Sequence, residues 1–139
     1  MDKSILIDEE YLFDAGVIVS SMDSNGNVIY ANRKFLEMTS YSKDELYGNH
    51  HSMLWHPDMP AAILDDAWTN LNAGNNWEGA VKYIRKDGRY YWVYLEFVRV
   101  IENGITLYSA ARRPLDDNEK RKTINAYNDL LEEENNGGH

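Results

Sequence analysis

The sequence predicts an α+β domain, in which a five-stranded antiparallel sheet carries its helices on one face. Two strand-like segments joined by a tight turn open the chain, a helical stretch follows, and three strand-like segments close the domain. This order places consecutive helices together over one side of a single sheet. At 139 residues the chain has the length of one compact domain.

The first two predicted strands form a hairpin. Residues 16–22 are apolar and β-branched, and residues 27–31 continue the same pattern. The segment between them holds the pair Asn25-Gly26, a strong short-range hairpin signal. The two strands are therefore expected to be neighbours in the sheet.

The middle of the chain predicts short helices and one principal helix. Ser42 and Glu45 have the spacing of a capping box, which opens a short helix. Pro60 suits the first turn of a helix, and apolar residues then recur at the spacing of one helical face. These residues are Ile63, Leu64, Ala67, Trp68 and Leu71. They predict the principal helix over residues 60–73.

The last three predicted strands cover residues 77–84, 90–101 and 105–113, with polar turns between them. The long middle strand has apolar residues in both registers, which indicates that both of its faces are covered. We expect the helical middle on one face. On the other we expect residues 3–13, a second subunit, or both. The apolar residues available in the N-terminal segment are Ile5, Leu6, Leu12 and Phe13.

The flanks divide the chain further. Residues 1–15 are predicted to be an N-terminal flanking cap, residues 16–113 the domain itself, and residues 114–134 a C-terminal linker or signalling helix. That helix carries a narrow apolar stripe, formed by Ile124, Tyr127 and Leu131. Residues 135–139 are predicted to be a disordered tail.

Composition excludes several classes of function. The net charge of −9 argues against nucleic-acid binding, which needs clustered basic residues. The absence of Cys excludes disulfides, thiolate metal sites and cysteine nucleophiles. No apolar run approaches the length of a membrane span. We expect a cytoplasmic location, alone or as part of a membrane-associated receptor. No arrangement of residues suggests catalysis, so we expect a protein that is not an enzyme.

Three motifs in order resemble those of PAS domains: Asn25 to Asn32, Tyr41 to Gly48, and Arg85 to Val93. The resemblance covers residues 16–113. The acidic flanks and the two apolar registers of the long strand predict a homodimer formed through the flanking segments or the outer sheet face. The PAS resemblance implies a sensory module of a signal-transduction protein. It also implies a downstream signalling domain, such as a methyl-accepting chemotaxis region, a kinase or a diguanylate cyclase.

A narrower resemblance lies between these motifs. The segment His56 to Pro60, followed by Trp68 and Trp77, is similar to the PAS domain of bacterial aerotaxis receptors. Those receptors hold FAD noncovalently and read its redox state. The resemblance implies flavin-related roles for Asn32, His56, Asp58 and Trp68. Trp55 stands where the family has Arg, and Tyr83 stands where it has Asn. The candidate cofactor-binding set is Asn32, Trp55, His56, Asp58, Leu64, Trp68 and Tyr83.

Other interpretations of these residues stay open. Asn32 and Asp58 have the chemistry of helix caps, and Trp68 lies on the apolar stripe of a helix. A haem held by His50 or His51 is an alternative to FAD, and a ligand-free dimerisation module is another. The pyrophosphate of FAD needs basic partners, and no Lys or Arg lies between Lys43 and Lys82. The nearest candidates in sequence are Arg33, Lys82 and Arg85. For a bound flavin, Trp68 and Asn32 should face one cavity with His56 and Asp58 at its rim.

Overall fold

A computed structural model describes residues 6–137 of the chain. Its elements, in chain order, are β1 (Val19–Asp23), β2 (Val28–Ala31), α1 (Arg33–Thr39), α2 (Lys43–Leu46), a 3-10 helix (His51–Leu54), α3 (Ala61–Asn72), β3 (Trp77–Ile84), β4 (Tyr90–Glu102), β5 (Ile105–Pro114) and α4 (Asp117–Gly137). The five strands form one antiparallel sheet in the order β2-β1-β5-β4-β3. The predicted fold class is confirmed.

The register of the sheet decides which side chains enter the core. Along β4 the buried residues Tyr91, Val93, Leu95 and Phe97 alternate with side chains of the opposite face. On β5 the inward positions are Tyr108, Ala110 and Arg112. Phe35 of α1, Leu46 of α2 and Leu54 of the 3-10 helix bury completely against this inner face. The core therefore lies between the helical middle of the chain and one side of the sheet.

Local signals in the sequence fix the starts of the first two helices. Asn32 is the N-cap of α1, and its Oδ1 accepts a hydrogen bond from the Phe35 amide at 3.0 Å. Ser42 and Glu45 form the predicted capping box at the start of α2. Helix α3 differs, because its N-cap Pro60 has no side-chain acceptor to offer.

The C-terminal helix covers half of the outer face of the sheet. The Tyr127 and Trp92 rings lie 6.1 Å apart, and the Tyr127 hydroxyl donates to the Ala80 carbonyl. The rest of the outer face keeps Val98 and Val100 exposed. The sequence-based expectation put residues 3–13 or a second subunit on this face. That expectation is wrong for the half under α4, because the apolar stripe of the helix packs there.

The N-terminal segment closes one end of the core instead. Its backbone pairs with the start of β4, where the Tyr11 amide donates to the Tyr90 carbonyl at 2.7 Å. The Tyr11 and Phe13 rings contact Tyr91 on the inner face, at 6.0 and 5.8 Å between centroids. Leu6 and Leu12, which we expected to pack, are 55% and 76% exposed, and Ile5 lies outside the described residues.

Helix α4 begins later and ends later than predicted. It runs through residues 135–137, which were expected to belong to the disordered tail, and residues 138–139 lie outside the described part of the chain. Within residues 6–137, none of the helices combines the length and the apolar character that spanning a membrane requires.

The turn between β3 and β4 is tied to the helical layer by one buried cation. Arg85 donates to the carbonyl oxygens of Glu37 and Met38 at 3.1 and 2.8 Å, at the end of α1. Asp87 holds this guanidinium in place through Oδ2 and also pairs with Arg89. Burial raises the pKa of Asp87, but the hydrogen bonds from Arg85 and Arg89 outweigh it and keep the pKa well below 3.8.

Asp87→Asn should lower the free energy of unfolding at pH 7 by about 0.5–1 kcal/mol, because a neutral amide holds the two guanidinium groups less well. A carboxyl group whose pKa is depressed in the folded state stabilises the fold above its unfolded pKa, near 3.8 for Asp87. The difference between wild type and variant should therefore shrink as the pH falls below about 4.

Urea unfolding at pH 7 and pH 3 measures this difference. Asp65→Asn, at an exposed position on α3, is the matched control and should change stability little at either pH. An Asp87→Asn penalty of the same size at both pH values would show that the charge of Asp87 is not what matters.

Candidate ligand-binding site

A guanidinium group lies in the middle of the core. Arg112 points inward from β5 and is 5% exposed, and its guanidinium carbon sits 3.8 Å from the centre of the Phe35 ring. Its Nε donates to the Tyr83 hydroxyl at 3.1 Å, and its Nη2 donates to Ser20 Oγ at 3.0 Å. Among the ion pairs of residues 6–137, none involves Arg112. The core thus holds a positive charge without a carboxylate to balance it.

Hydrogen-bond donors outnumber acceptors around this charge. Arg112 Nη1 and the Tyr91 hydroxyl are buried and have no hydrogen-bond partner within the described chain. His51 lies between two donors, with Trp55 Nε1 3.1 Å from its Nδ1 and Arg112 Nη2 2.9 Å from its Nε2. Burial first, and then the charge of Arg112, hold the pKa of His51 well below 6.5. A neutral imidazole accepts at only one of its nitrogens, so one of these two donors also lacks an acceptor.

We call this group of side chains the Arg112 cluster; its members are Ser20, His51, Trp55, Tyr83, Tyr91 and Arg112. A buried charge without a partner costs several kcal/mol, and each unpaired buried donor adds to that cost. Aromatic rings surround the cluster, since Tyr83 contacts Phe35 at 6.2 Å and Tyr91 at 5.5 Å. The arrangement suits a planar molecule that brings acceptor atoms into an aromatic core.

A cavity opens between α3 and the hairpin of β1 and β2, and none of the residues that line it belongs to the Arg112 cluster. Its volume is about 390 Å³, within the range of roughly 300–1,000 Å³ of small-molecule sites. The Trp68 ring lines it and lies 5.0 Å from His50 and 6.4 Å from Phe97. Phe97 in turn lies 5.3 Å from His51 of the cluster. The Trp68 and Phe97 rings therefore connect the cavity to His51 of the Arg112 cluster.

Four of the predicted cofactor residues lie at or near this region. Trp68 lines the cavity, Trp55 and Tyr83 belong to the Arg112 cluster, and Leu64 is half-buried against the core. Burial raises the pKa of Tyr83 and Arg112 partly offsets that effect, so the Tyr83 hydroxyl stays protonated. The aromatic residues at positions 55 and 83 thus contribute to the walls of the core.

Asn32 is fully used as a structural residue. Its Oδ1 accepts from the Phe35 and Val19 amides, and its Nδ2 donates to the Val17 carbonyl at 2.8 Å. It is not among the residues that line the cavity beside Trp68. The structure therefore supports the helix-cap interpretation of Asn32.

His56 and Asp58 lie on the other side of the edge strand β3. His56 is buried, its amide donates to the Lys82 carbonyl, and its Nδ1 accepts from the Asp58 amide at 3.0 Å. Asp58 lines a smaller cavity of about 180 Å³ with Trp92 and Tyr127, under α4. Burial, followed by the charge of Lys82, lowers the pKa of His56. The predicted arrangement of all four residues around one cavity is wrong, because Trp55 pairs with β3 and carries the chain across the sheet edge.

The two histidines considered for haem are engaged within the protein. His50 Nδ1 accepts from the Ser52 amide at 3.1 Å, and its Nε2 packs so closely on Gly26 that a Cβ there would lie 2.5 Å away. Both ring nitrogens of His51 face donors of the Arg112 cluster. Within residues 6–137, no group of three or more His, Asp or Glu side chains could hold a metal ion.

The sequence analysis missed Arg112, the residue on which the cluster depends. A signal for it was present, because Tyr108, Ala110 and Arg112 share one register of the last strand. Basic residues in strands are usually assigned to the solvent face, and the neighbouring Arg113 does face solvent.

Comparison with known proteins gives the class that this fold and site define. A family model described as the PAS fold matches residues 28–107. The chain belongs to the PAS fold family.

Sequence identity to known proteins indicates which kind of PAS domain this is. The chain is 37% identical to the Aerotaxis receptor of Escherichia coli (strain K12) over 109 residues, which is 78% of the chain and 22% of that protein. It is 31% identical to the Nitrogen fixation regulatory protein of Klebsiella oxytoca, over 63% of the chain and 18% of that protein. The chain thus spans about a fifth of the length of these relatives. It is a PAS sensory domain similar to that of aerotaxis receptors.

A solved structure shows the same fold at lower identity. The light-state LOV domain of the blue-light photoreceptor Aureochrome1 matches with a TM-score of 0.70 and 20% identity, covering 80% of this chain and 91% of that one.

Arg112→Met should leave the free energy of unfolding of the ligand-free protein unchanged or raise it by up to about 3 kcal/mol, because it removes an unbalanced buried charge. Arg113→Met is the matched control on the same strand. It breaks a surface ion pair with Glu119 and should cost about 0.5 kcal/mol. Urea unfolding of protein refolded without added ligand measures both variants. A larger loss from Arg112→Met than from Arg113→Met would show that the buried guanidinium stabilises the empty core.

Proposed function

We propose that this chain is the sensory module of a signal-transduction protein and that it binds a flavin, FAD, noncovalently in the core beside Arg112. The observation that carries the proposal is the buried guanidinium with no carboxylate partner and an unpaired Nη1. The resemblance of residues 56–77 to aerotaxis receptors supports the identity of the ligand, and the 37% identity to one such receptor supports it further.

The residues of the cluster fit the polar edge of a flavin ring. That edge presents two carbonyl oxygens and the ring nitrogens N1 and N5 as hydrogen-bond acceptors, and one N–H group, at N3, as a donor. Arg112 Nη1 and the Tyr91 hydroxyl are the donors that need such acceptors, with Trp55 Nε1 or Arg112 Nη2 as a third. The aromatic rings of Phe35, Tyr83 and Phe97 supply flat apolar walls.

A flavin supplies reversible redox chemistry, and the Arg112 cluster is arranged to respond to charge. Arg112 joins three parts of the core, since it contacts Ser20 of β1, Tyr83 of β3 and His51 of the 3-10 helix. Hydrogen bonds in a core of low dielectric polarise one another, so we expect a change of charge on the flavin to redistribute the hydrogen bonds of Arg112. Because Arg112 lies on β5, the altered hydrogen bonding acts on this strand first. Strand β5 leads through Pro114 and Leu115 directly into α4. The output of the module is thus a shift in how α4 packs on the sheet.

The diphosphate of FAD finds few cations here. Lys82 lies on the α4 side of β3, and Arg85 is held by Asp87 and the end of α1. Arg33 is exposed on α1 and pairs with Glu37. Most of the binding energy should therefore come from the flavin ring, and FMN and riboflavin should bind within about tenfold of FAD.

The remaining parts of the proposal concern the whole protein. The module is not an enzyme, lies in the cytoplasm alone or within a membrane-associated receptor, and is followed by a signalling domain. A homodimer forms through the bare half of the outer sheet face, where Val98 and Val100 are exposed.

The absorbance spectrum of the purified protein, before and after reconstitution with FAD, tests the ligand. We expect flavin bands, a flavin content at least tenfold lower in Arg112→Met, and a content close to wild type in Arg113→Met. Trp68→Ala should lower the content with an unchanged circular dichroism spectrum. A protein that stays colourless after reconstitution would favour the ligand-free interaction module, and a Soret band would favour haem. Equal flavin content in wild type and Arg112→Met would remove Arg112 from the site.

A further inference from the structure

The start of α3 is capped by a residue from the far end of the chain. Glu134, near the end of α4, accepts from the Ala61 amide with Oε1 at 3.1 Å and from the Ala62 amide with Oε2 at 3.0 Å. Pro60 makes no side-chain cap, and the first turn of α3 holds no acidic residue. First-turn amides have no partner inside their own helix, and a carboxylate there is favoured by the helix dipole. Glu134 therefore supplies what the local sequence of α3 lacks.

The end of α4 is weak without this contact. Its last turns hold Glu132, Glu133 and Glu134 and no basic residue, and negative charge at a helix C-terminus opposes the helix dipole. Asn135, Asn136 and Gly137 follow, and all three are poor helix formers. The order of this end therefore depends on the docking of Glu134 on α3.

Helix α3 also forms one wall of the cavity at Trp68. Trp68 and Leu71 line that cavity, yet only Ala67 and Leu71 of the twelve residues of α3 are fully buried. Ile63, Leu64 and Trp68 pack against the core but are only partly buried, and Trp77 Nε1 donates to Asp66 Oδ2 at 2.9 Å. A helix with so little buried surface can shift when the cavity changes its contents.

We propose that Glu134 is an intramolecular latch between the cavity at Trp68 and the end of the C-terminal helix. A shift of α3 withdraws two consecutive amides from one carboxylate, so both hydrogen bonds break together and the last turns of α4 lose their order. Because coupling is reciprocal, release of Glu134 also changes the cavity wall at Trp68. The role of the latch in signalling rests on the proposed function, whereas the latch itself and its effect on Trp68 do not require a flavin.

NMR on the full chain without flavin tests the latch, with Glu134→Ala compared with Glu133→Ala. Both substitutions remove one charge from the same turn, and both bring in a better helix former. Helix propensity and the helix dipole alone predict that each substitution stabilises the end of α4. The latch predicts the reverse for Glu134→Ala alone. Amide exchange at residues 61 and 62 should rise about fivefold, exchange at residues 133–136 should rise at least twofold, and the Trp68 indole signal should move.

A second variant separates capping from tethering. Glu134→Ala combined with Ala61→Asp returns a carboxylate to the first turn of α3. Protection at residue 62 should recover in it, while the end of α4 stays in fast exchange.

Three results would overturn the proposal: equal exchange at residues 61 and 62 in the two single variants, an end of α4 that is firmer in Glu134→Ala, or an unmoved Trp68 signal. None of these readouts needs a cofactor. If the absorbance spectrum shows that the protein binds no flavin, the proposed function is wrong, but the NMR test of the latch is unaffected.

Discussion

The buried charge of Arg112 is the constraint around which the rest of the structure is arranged. The register of β5 directs Arg112 inward, because Ala110 and Tyr108, two and four residues earlier, occupy the inner face. Once inside, the guanidinium has to be satisfied by neutral partners, and it draws these from β1, β3 and the 3-10 helix. These contacts join the sheet to the helical layer. Two buried hydrogen-bond donors, Arg112 Nη1 and the Tyr91 hydroxyl, still have no partner within the described residues. These unpaired donors are the observation from which we propose a bound ligand.

The C-terminal helix connects the two faces of the sheet. Strand β5 carries Arg112 on its inner face and Arg113 on its outer face, and it runs directly into α4. Helix α4 then crosses β4 and β3 through Tyr127 and ends against the start of α3, which is again on the inner side. Helix α4 thus leads from the end of β5, around the edge strand β3, to the helix that lines the cavity at Trp68. At this edge Asp58 lines the smaller cavity under α4, and the His56 amide donates to the Lys82 carbonyl of β3.

Local patterns predicted the parts of the fold that local physics decides. The Asn25-Gly26 turn, the capping box at Ser42 and the two apolar registers of β4 each reappear as expected. What covers each face could not be predicted in the same way. Tyr11 and Phe13 share one register and Leu6 and Leu12 another, and only the pairing of the segment with Tyr90 decides which is buried. The location of His56 depended on the pairing of Trp55 with an edge strand, and the order of residues 135–137 on a carboxylate contact 72 residues away. Such contacts leave no periodic trace in the sequence.

The most direct test is a crystal structure of the protein reconstituted with FAD, examined at Arg112 Nη1. We predict an acceptor atom of the flavin ring within about 3.2 Å of that nitrogen, with the Tyr91 hydroxyl also paired. A flavin bound outside the core, or a core in which Nη1 is satisfied by the protein or by water while the flavin lies elsewhere, would contradict the role assigned to this buried charge.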